Sequence, residues 1–128
     1  MRALIVDDSK AMRTILKKIV TECGYESIDE AANGAEALVR LRKDGPPDLM
    51  LVDWNMPEMT GIELVTRVRK DDTFESSVIM MVTTETETAR ISEALEAGAD
   101  EYLMKPFTPE LLRDRIEMLR ESRSGAER

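Results

Sequence analysis

Two periods of hydrophobic and polar positions alternate along the chain, and the switches between them mark out its elements. Ala3-Leu4-Ile5-Val6 is a continuous apolar run that stops at Asp7-Asp8. Met12, Ile15, Leu16, Ile19, Val20 and Cys23 then recur at the i, i+3, i+4, i+7 spacing of one helix face, with Ser9 placed to cap it and Gly24 to stop it. A short strand is predicted over Ser27–Ala31. The capping box Asn33-Gly34-Ala35-Glu36 opens the next helix, whose buried side is Ala37, Leu38 and Leu41. Gly45-Pro46-Pro47 resets the chain for a second apolar run, Leu49-Met50-Leu51-Val52, which stops at Asp53. Thr60-Gly61-Ile62-Glu63 is another capping box, ahead of the stripe Leu64, Val65 and Val68. Val78–Val82 is apolar throughout, as a strand is when both faces of its sheet are covered. Ile91, Ala94 and Leu95 mark a fourth helix closed by Gly98, and the run Tyr102-Leu103-Met104 stops at Lys105-Pro106. Thr108-Pro109-Glu110 begins a last helix, with proline at the first helical position, where no hydrogen bond is lost. Residues 122–128 are small and charged and are predicted to form a flexible tail beyond a domain spanning 1–121.

Strand and helix patterns thus alternate about five times, with short connections and no internal linker. Right-handed crossovers then make a doubly wound α/β sheet of five parallel strands the natural architecture. In such a sheet Asp7, Asp8, Asp53 and Lys105 meet at the carboxyl edge, where open α/β folds place their sites. Clustered carboxylates repel one another, so the cluster calls for a hard divalent cation, an ammonium group, or both.

Composition narrows the chemistry further. At 128 residues, 42% hydrophobic and 34% charged, the chain has the make-up of one globular domain. A net charge of −8 disfavours nucleic acid and anionic membranes as partners. No apolar stretch approaches the roughly 18 residues of a membrane span, and the N-terminus reads straight into a strand, so neither membrane insertion nor a signal peptide is expected. Histidine is absent, which removes imidazole catalysis and histidine-bound zinc. Cys23 is the only cysteine, which excludes a thiolate cluster and an intrachain disulfide and suits a reducing cytoplasm. Any metal must be held by oxygen, which points to magnesium, manganese or calcium.

Each charged position also has an ordinary explanation. Asp7 and Asp8 could simply cap the helix that follows them; alternatively, one binds a cation directly while the other acts through water. Asp53 opens Asp53-Trp54-Asn55-Met56-Pro57, with Gly61 beyond, and could close a turn that needs Pro57 and Gly61 for backbone shape. As a carboxylate nucleophile it could instead form an acyl phosphate. Magnesium prefers six oxygens, and Asp8, Asp53, a carbonyl near Asn55 and the phosphoryl group would leave room for its waters. Lys105 could be merely solvated, or could pair with Asp53 at rest and with phosphoryl oxygen after transfer. The Lys105-Pro106 bond is of the kind that goes cis, which would aim the ammonium. Thr83 and Thr84 suit a strand through β-branching alone, but a Thr83 hydroxyl at this edge could donate to a phosphoryl oxygen. Tyr102 reads as an edge aromatic with a wet hydroxyl.

Together, Asp7-Asp8-Ser9, Asp53-Trp54-Asn55-Met56-Pro57 with Gly61, Thr83-Thr84, Gly98-Ala99 and Lys105-Pro106-Phe107 resemble the receiver domain of bacterial two-component response regulators. The resemblance is strongest to the stand-alone, CheY-like chemotaxis type and runs from Ala3 to about Leu119. It implies a flavodoxin-like (βα)5 fold and a monomeric, cytoplasmic signalling switch that is not a conventional enzyme. It also implies that Asp53 accepts a phosphoryl group from a partner histidine kinase. Asp7 and Asp8 would hold magnesium, or manganese in its place, together with Asp53 and the Asn55 backbone carbonyl. Lys105 would contact the phosphoryl group, and Thr83 and Tyr102 would form the switch pair, Thr83 moving toward the phosphate as Tyr102 turns inward. Asn55 and Glu85 would tune hydrolysis. A downstream target would dock on the fourth helix, last strand and last helix, including Arg90, Glu93, Glu96 and Tyr102. Thr84 is the one departure, since the family often has a smaller residue after the switch threonine. No output domain follows, so the chain is expected to act by docking or as part of something longer.

Three rival readings are weaker. A magnesium-dependent phosphohydrolase resembling the haloacid dehalogenase type would carry Asp-x-Asp after its first strand and a cap domain. A flavin- or nucleotide-binding module would want glycine-rich or hydroxyl-rich phosphate loops, which Asp7-Asp8 would repel. A degenerate receiver would have lost its acid, threonine or lysine.

Overall fold

A computed structural model describes residues 1–84 and 88–126. Among the described residues, five strands alternate with five helices: β1 Arg2–Val6, α1 Lys10–Glu22, β2 Ser27–Ala31, α2 Gly34–Asp44, β3 Leu49–Val52, α3 Gly61–Arg69, β4 Val78–Thr83, α4 Thr88–Ala97, β5 Glu101–Met104 and α5 Pro109–Ala126. A single 3-10 turn, Asp72–Phe74, lies between α3 and β4. All strand pairs are parallel, in the order β2-β1-β3-β4-β5. This is the flavodoxin-like order, and its direction of winding reverses between β1 and β3.

The caps form where the sequence places them. Ser9 Oγ accepts from the Met12 N–H, Asn33 Oδ1 from Glu36, Thr60 Oγ1 from Glu63 and Thr108 Oγ1 from Leu111. Gly24, Gly45 and Gly98 follow their helices at φ 98°, 80° and 118°, the left-handed conformation that glycine adopts without steric cost.

Alternate strand residues feed two cores. Leu4, Val6, Met50, Val52, Ile79 and Met81 face α2, α3 and α4, where Leu41, Leu64, Val65, Val68 and Ala94 meet them. Ala3, Ile5, Leu49, Leu51, Met80 and Val82 face α1 and α5, against Leu16, Ile19, Val20, Leu112 and Ile116. Burying each large aliphatic side chain is worth about 1.5–3 kcal/mol, so both faces are anchored. Two apolar positions of the helical patterns are exposed: Ile15 at 49% and Leu95 at 46%. Each sits beside a fully buried neighbour, Leu16 and Ala94, which occupies the centre of its stripe. Helix α5 runs on to Ala126, into the segment where a tail is expected beyond residue 121.

Arg69, at the end of α3, ties the edge opposite the site. Its guanidinium donates to the carbonyls of Gly98, Phe74 and Ser77 at 2.9, 2.7 and 2.8 Å and pairs with Asp100 at 2.9 Å. Asp100 also accepts from the Ile79 N–H at 2.8 Å. Arg69→Ala removes the donor from several part-buried acceptors at once and should cost about 2–4 kcal/mol in urea unfolding. Arg69→Lys should restore only part of this, because an ammonium cannot span the same fork. An unchanged unfolding midpoint in Arg69→Ala would refute the staple.

Candidate functional site

The site assembles from strand register. Val6 pairs with Val52, so Asp7 and Asp53 leave the sheet side by side. The Asp53 N–H donates to the Val6 carbonyl at 2.9 Å, and the Asp7 N–H to that of Ala31 at 3.1 Å. On the other side Thr83 pairs with Met104, and the Lys105 N–H donates to the Thr83 carbonyl at 2.9 Å. The Lys105-Pro106 bond that follows is cis.

Asp7, Asp8, Asp53, Thr83 and Lys105 therefore converge at one edge. Asp7 and Asp53 are buried, with 1% and 8% of their surface exposed, and Thr83 is fully buried, whereas Asp8 lies open to solvent. Lys105 Nζ is 3.0 Å from Asp7 Oδ2 and 3.8 Å from Asp53 Oδ2. The sequence reading pairs this ammonium with Asp53; in the structure it lies closer to Asp7. Thr83 and Asn55 also help to hold the Asp53 carboxyl down. Asp7 Oδ1 is taken by the Ser9 N–H at 2.8 Å, which leaves Oδ2 for the lysine.

Burial pushes the Asp53 carboxyl above its ordinary value, and the Asp7 charge adds to the push. Lys105 pulls the other way first, then the hydrogen bonds from Thr83 and Asn55, without cancelling the rise. The ionised site is thus short of positive charge. Ligand oxygens of Asp7, Asp8 and Asp53 all lie within 4.8 Å of one another. An all-oxygen, carboxylate-rich set of this kind fits a hard divalent cation.

Tyr102 lies on the edge strand β5, as read from the sequence, yet most of its surface is covered. It is 8% exposed and belongs to the core that packs against α2–α4, opposite Met81 in the sheet register. Arg90, Glu93 and Glu96 are exposed on α4, and Asn55 is exposed in the β3–α3 loop. Glu85 lies outside the described residues.

Two features of the site carry only faint sequence signals. Gly61 looks like a shape residue, but the structure gives it a stricter role: a Cβ there would collide with the Asp53 carbonyl oxygen. Its N–H also donates to the Trp54 carbonyl at 2.9 Å, so α3 starts in direct contact with the acceptor loop. The Arg90 guanidinium lies 5.3 Å from the centroid of the buried Trp54 ring, within cation–π range. No periodicity announces a contact between residues so far apart in the chain.

Comparison with known proteins bears on the whole of this arrangement. Residues 3–117 match the family model described as the response regulator receiver domain. The chain is 43% identical over 119 residues to chemotaxis protein CheY1 of Helicobacter pylori, covering 93% of this chain and 96% of that one. It is 41% identical over 125 residues to chemotaxis protein CheY of Pseudomonas aeruginosa, covering 98% and 100%. Its fold superposes on the crystal structure of chemotaxis protein CheY4 of Vibrio cholerae with a TM-score of 0.84 at 37% identity, over 91% of this chain and 96% of that one. A family match across most of the chain, on a sheet with this strand order, leaves no competing class: the chain belongs to the response regulator receiver domains, the phosphorylation-activated signalling switches of two-component systems, and not to the catalytic enzymes.

Proposed function

We propose that Asp53 is the phosphoacceptor of this receiver, that Asp7, Asp8, Asp53 and the Asn55 carbonyl hold Mg2+, and that Lys105 and Thr83 receive the phosphoryl oxygens. The observation that carries this reading is the meeting of three carboxylates, one ammonium and one hydroxyl at a single sheet edge. A carboxylate oxygen of Asp53 attacks phosphorus in line as the P–N bond of the kinase's phosphohistidine breaks, and the electron pair returns to the imidazole. Phosphoryl transfer asks mainly for positioning and charge neutralisation, and this chain supplies both. Lys105 and Thr83 reach the acceptor carboxylate already and would turn to the new equatorial oxygens. Bound Mg2+, or Mn2+ in its place, contributes the remaining charge neutralisation. Later attack of water on phosphorus returns the carboxylate and releases phosphate, a step that Asn55 and Glu85 would tune.

The readout follows from a two-state equilibrium. A phosphoryl group shifts it only through contacts that differ between the states. Thr83 drawn onto the phosphate and Tyr102 held inward would favour one arrangement of α4, β5 and α5, where a target protein docks. The relatives' chemotaxis names favour a chemotaxis output; a monomer working in the cytoplasm completes the proposed reading.

Trp54 adjoins Asp53 and makes the test direct. Trp54 fluorescence should change on titration with Mg2+, and again when acetyl phosphate is added. Intact-mass measurement should then show one added phosphoryl group. Mg2+ at ten times its dissociation constant should stabilise the fold by about 1.4 kcal/mol. Steady turnover of unrelated phosphate esters, without a covalent adduct, would reject the acceptor role.

A further inference from the structure

Each of the two peptides that flank the Asp7 α-carbon is held by a hydrogen bond. On one side the Asp7 N–H donates to the Ala31 carbonyl at 3.1 Å. On the other, Arg13 Nη1 donates to the Asp7 carbonyl at 2.6 Å, while its Nε pairs with Glu30 Oε1 at 3.2 Å. The Arg13 side chain is only 14% exposed. Glu30 is steadied in turn by Lys17 Nζ, 3.9 Å from its other oxygen. Arg13 breaks a local rule by sitting where it does. A cation in the opening turn of a helix opposes the helix dipole, and α1 has no acidic residue in that turn to offset it. Departures of this kind collect at functional sites, where another gain compensates.

We infer that Arg13 is a positioning residue for the divalent-cation site. By clamping the Asp7 carbonyl it fixes the planar Asp7-Asp8 peptide, and so aims the solvent-exposed Asp8 carboxylate toward those of Asp7 and Asp53. Groups that hold ligands from outside commonly set metal affinity nearly as strongly as the ligands themselves. The inference rests on the metal reading proposed above.

Charge and geometry predict opposite signs, which makes the role measurable. Taking a cation away from beside three carboxylates strengthens their pull on another cation, so loss of charge alone tightens Mg2+ binding. Loss of the clamp loosens it. A tie that only joins α1 to β2 would lower thermal stability and leave the Mg2+ dissociation constant where it was.

The experiment titrates the full chain with Mg2+, reading Trp54 emission and the Mg2+-dependent rise in melting temperature, with melting in EDTA as the measure of fold stability. Arg13→Ala and Arg13→Gln should each bind Mg2+ about tenfold more weakly than the parent. Should the alanine variant fail to fold, the glutamine variant, nearer in size, decides. A folded variant that binds within twofold of the parent, or more tightly, overturns the inference. A parent protein indifferent to Mg2+ would bring down the metal reading and this inference with it. A responsive parent with indifferent variants would bring down the Arg13 role alone.

Discussion

Asp53→Asn should take up no phosphoryl group from acetyl phosphate, and in EDTA at neutral pH it should melt above the parent protein. The first effect follows from chemistry: an amide has no anionic oxygen to attack phosphorus. The second follows from electrostatics. Burial, reinforced by Asp7, raises the Asp53 carboxyl in the folded state. A carboxyl raised on folding contributes stability that is fully present below its unfolded value, about 3.9, and lost as pH climbs through the higher folded value. At neutral pH the ionised Asp53 is therefore a cost that asparagine removes. The gap in melting temperature between variant and parent should close as the pH falls below about 4. Added Mg2+ should narrow it at neutral pH by stabilising the parent more than the variant. Labelling that persists in Asp53→Asn would reject the acceptor assignment, and a variant that melts below the parent in EDTA at neutral pH would reject the electrostatic account.

That a buried charge can be both costly and indispensable explains what the sequence reveals and what it conceals. The strands β1, β3 and β4 are legible because a sheet covered on both faces demands unbroken apolar runs, and each such run ends on a site residue or just before one. Helix starts are legible through Ser9, Asn33, Thr60 and Thr108, whose side chains cap the orphan N–H groups. The edge of a helical stripe is harder to read, since a single step of 100° carries Ile15 and Leu95 from core to solvent. Partner choice within the cluster is hidden more deeply. Lys105 Nζ lies nearer Asp7 than Asp53, a choice that register and loop shape decide. The burial of Tyr102 likewise depends on packing in a core it shares with Ala94 and Ala99, small residues whose sequence pattern carries no message about a ring.

The same dependence on close approach makes Gly61→Ala the most damaging small substitution expected outside the charged cluster. The added methyl would meet the Asp53 carbonyl oxygen and its carbon, with the Met81 methyl also crowded at 2.9 Å. Backbone atoms held in the β1–β3 register cannot step aside, so α3 must move or the acceptor loop must. Either way the Gly61 N–H to Trp54 carbonyl bond is disturbed. Overpacking of this kind costs about 3 kcal/mol, partly offset by the better helix propensity of alanine. The functional loss should be larger than the loss of stability, because a shift near 1 Å at reacting atoms can cost about a hundredfold in rate. Gly34→Ala provides the contrast. There the three atoms nearest the new methyl all belong to the Met59 side chain, whose outer bonds can rotate away, so the unfolding midpoint should move less than in Gly61→Ala. Urea unfolding and the rate of phosphoryl uptake from acetyl phosphate, measured on both variants, separate the two sites. Equal behaviour of Gly61→Ala and Gly34→Ala would show that the start of α3 does not set the position of Asp53.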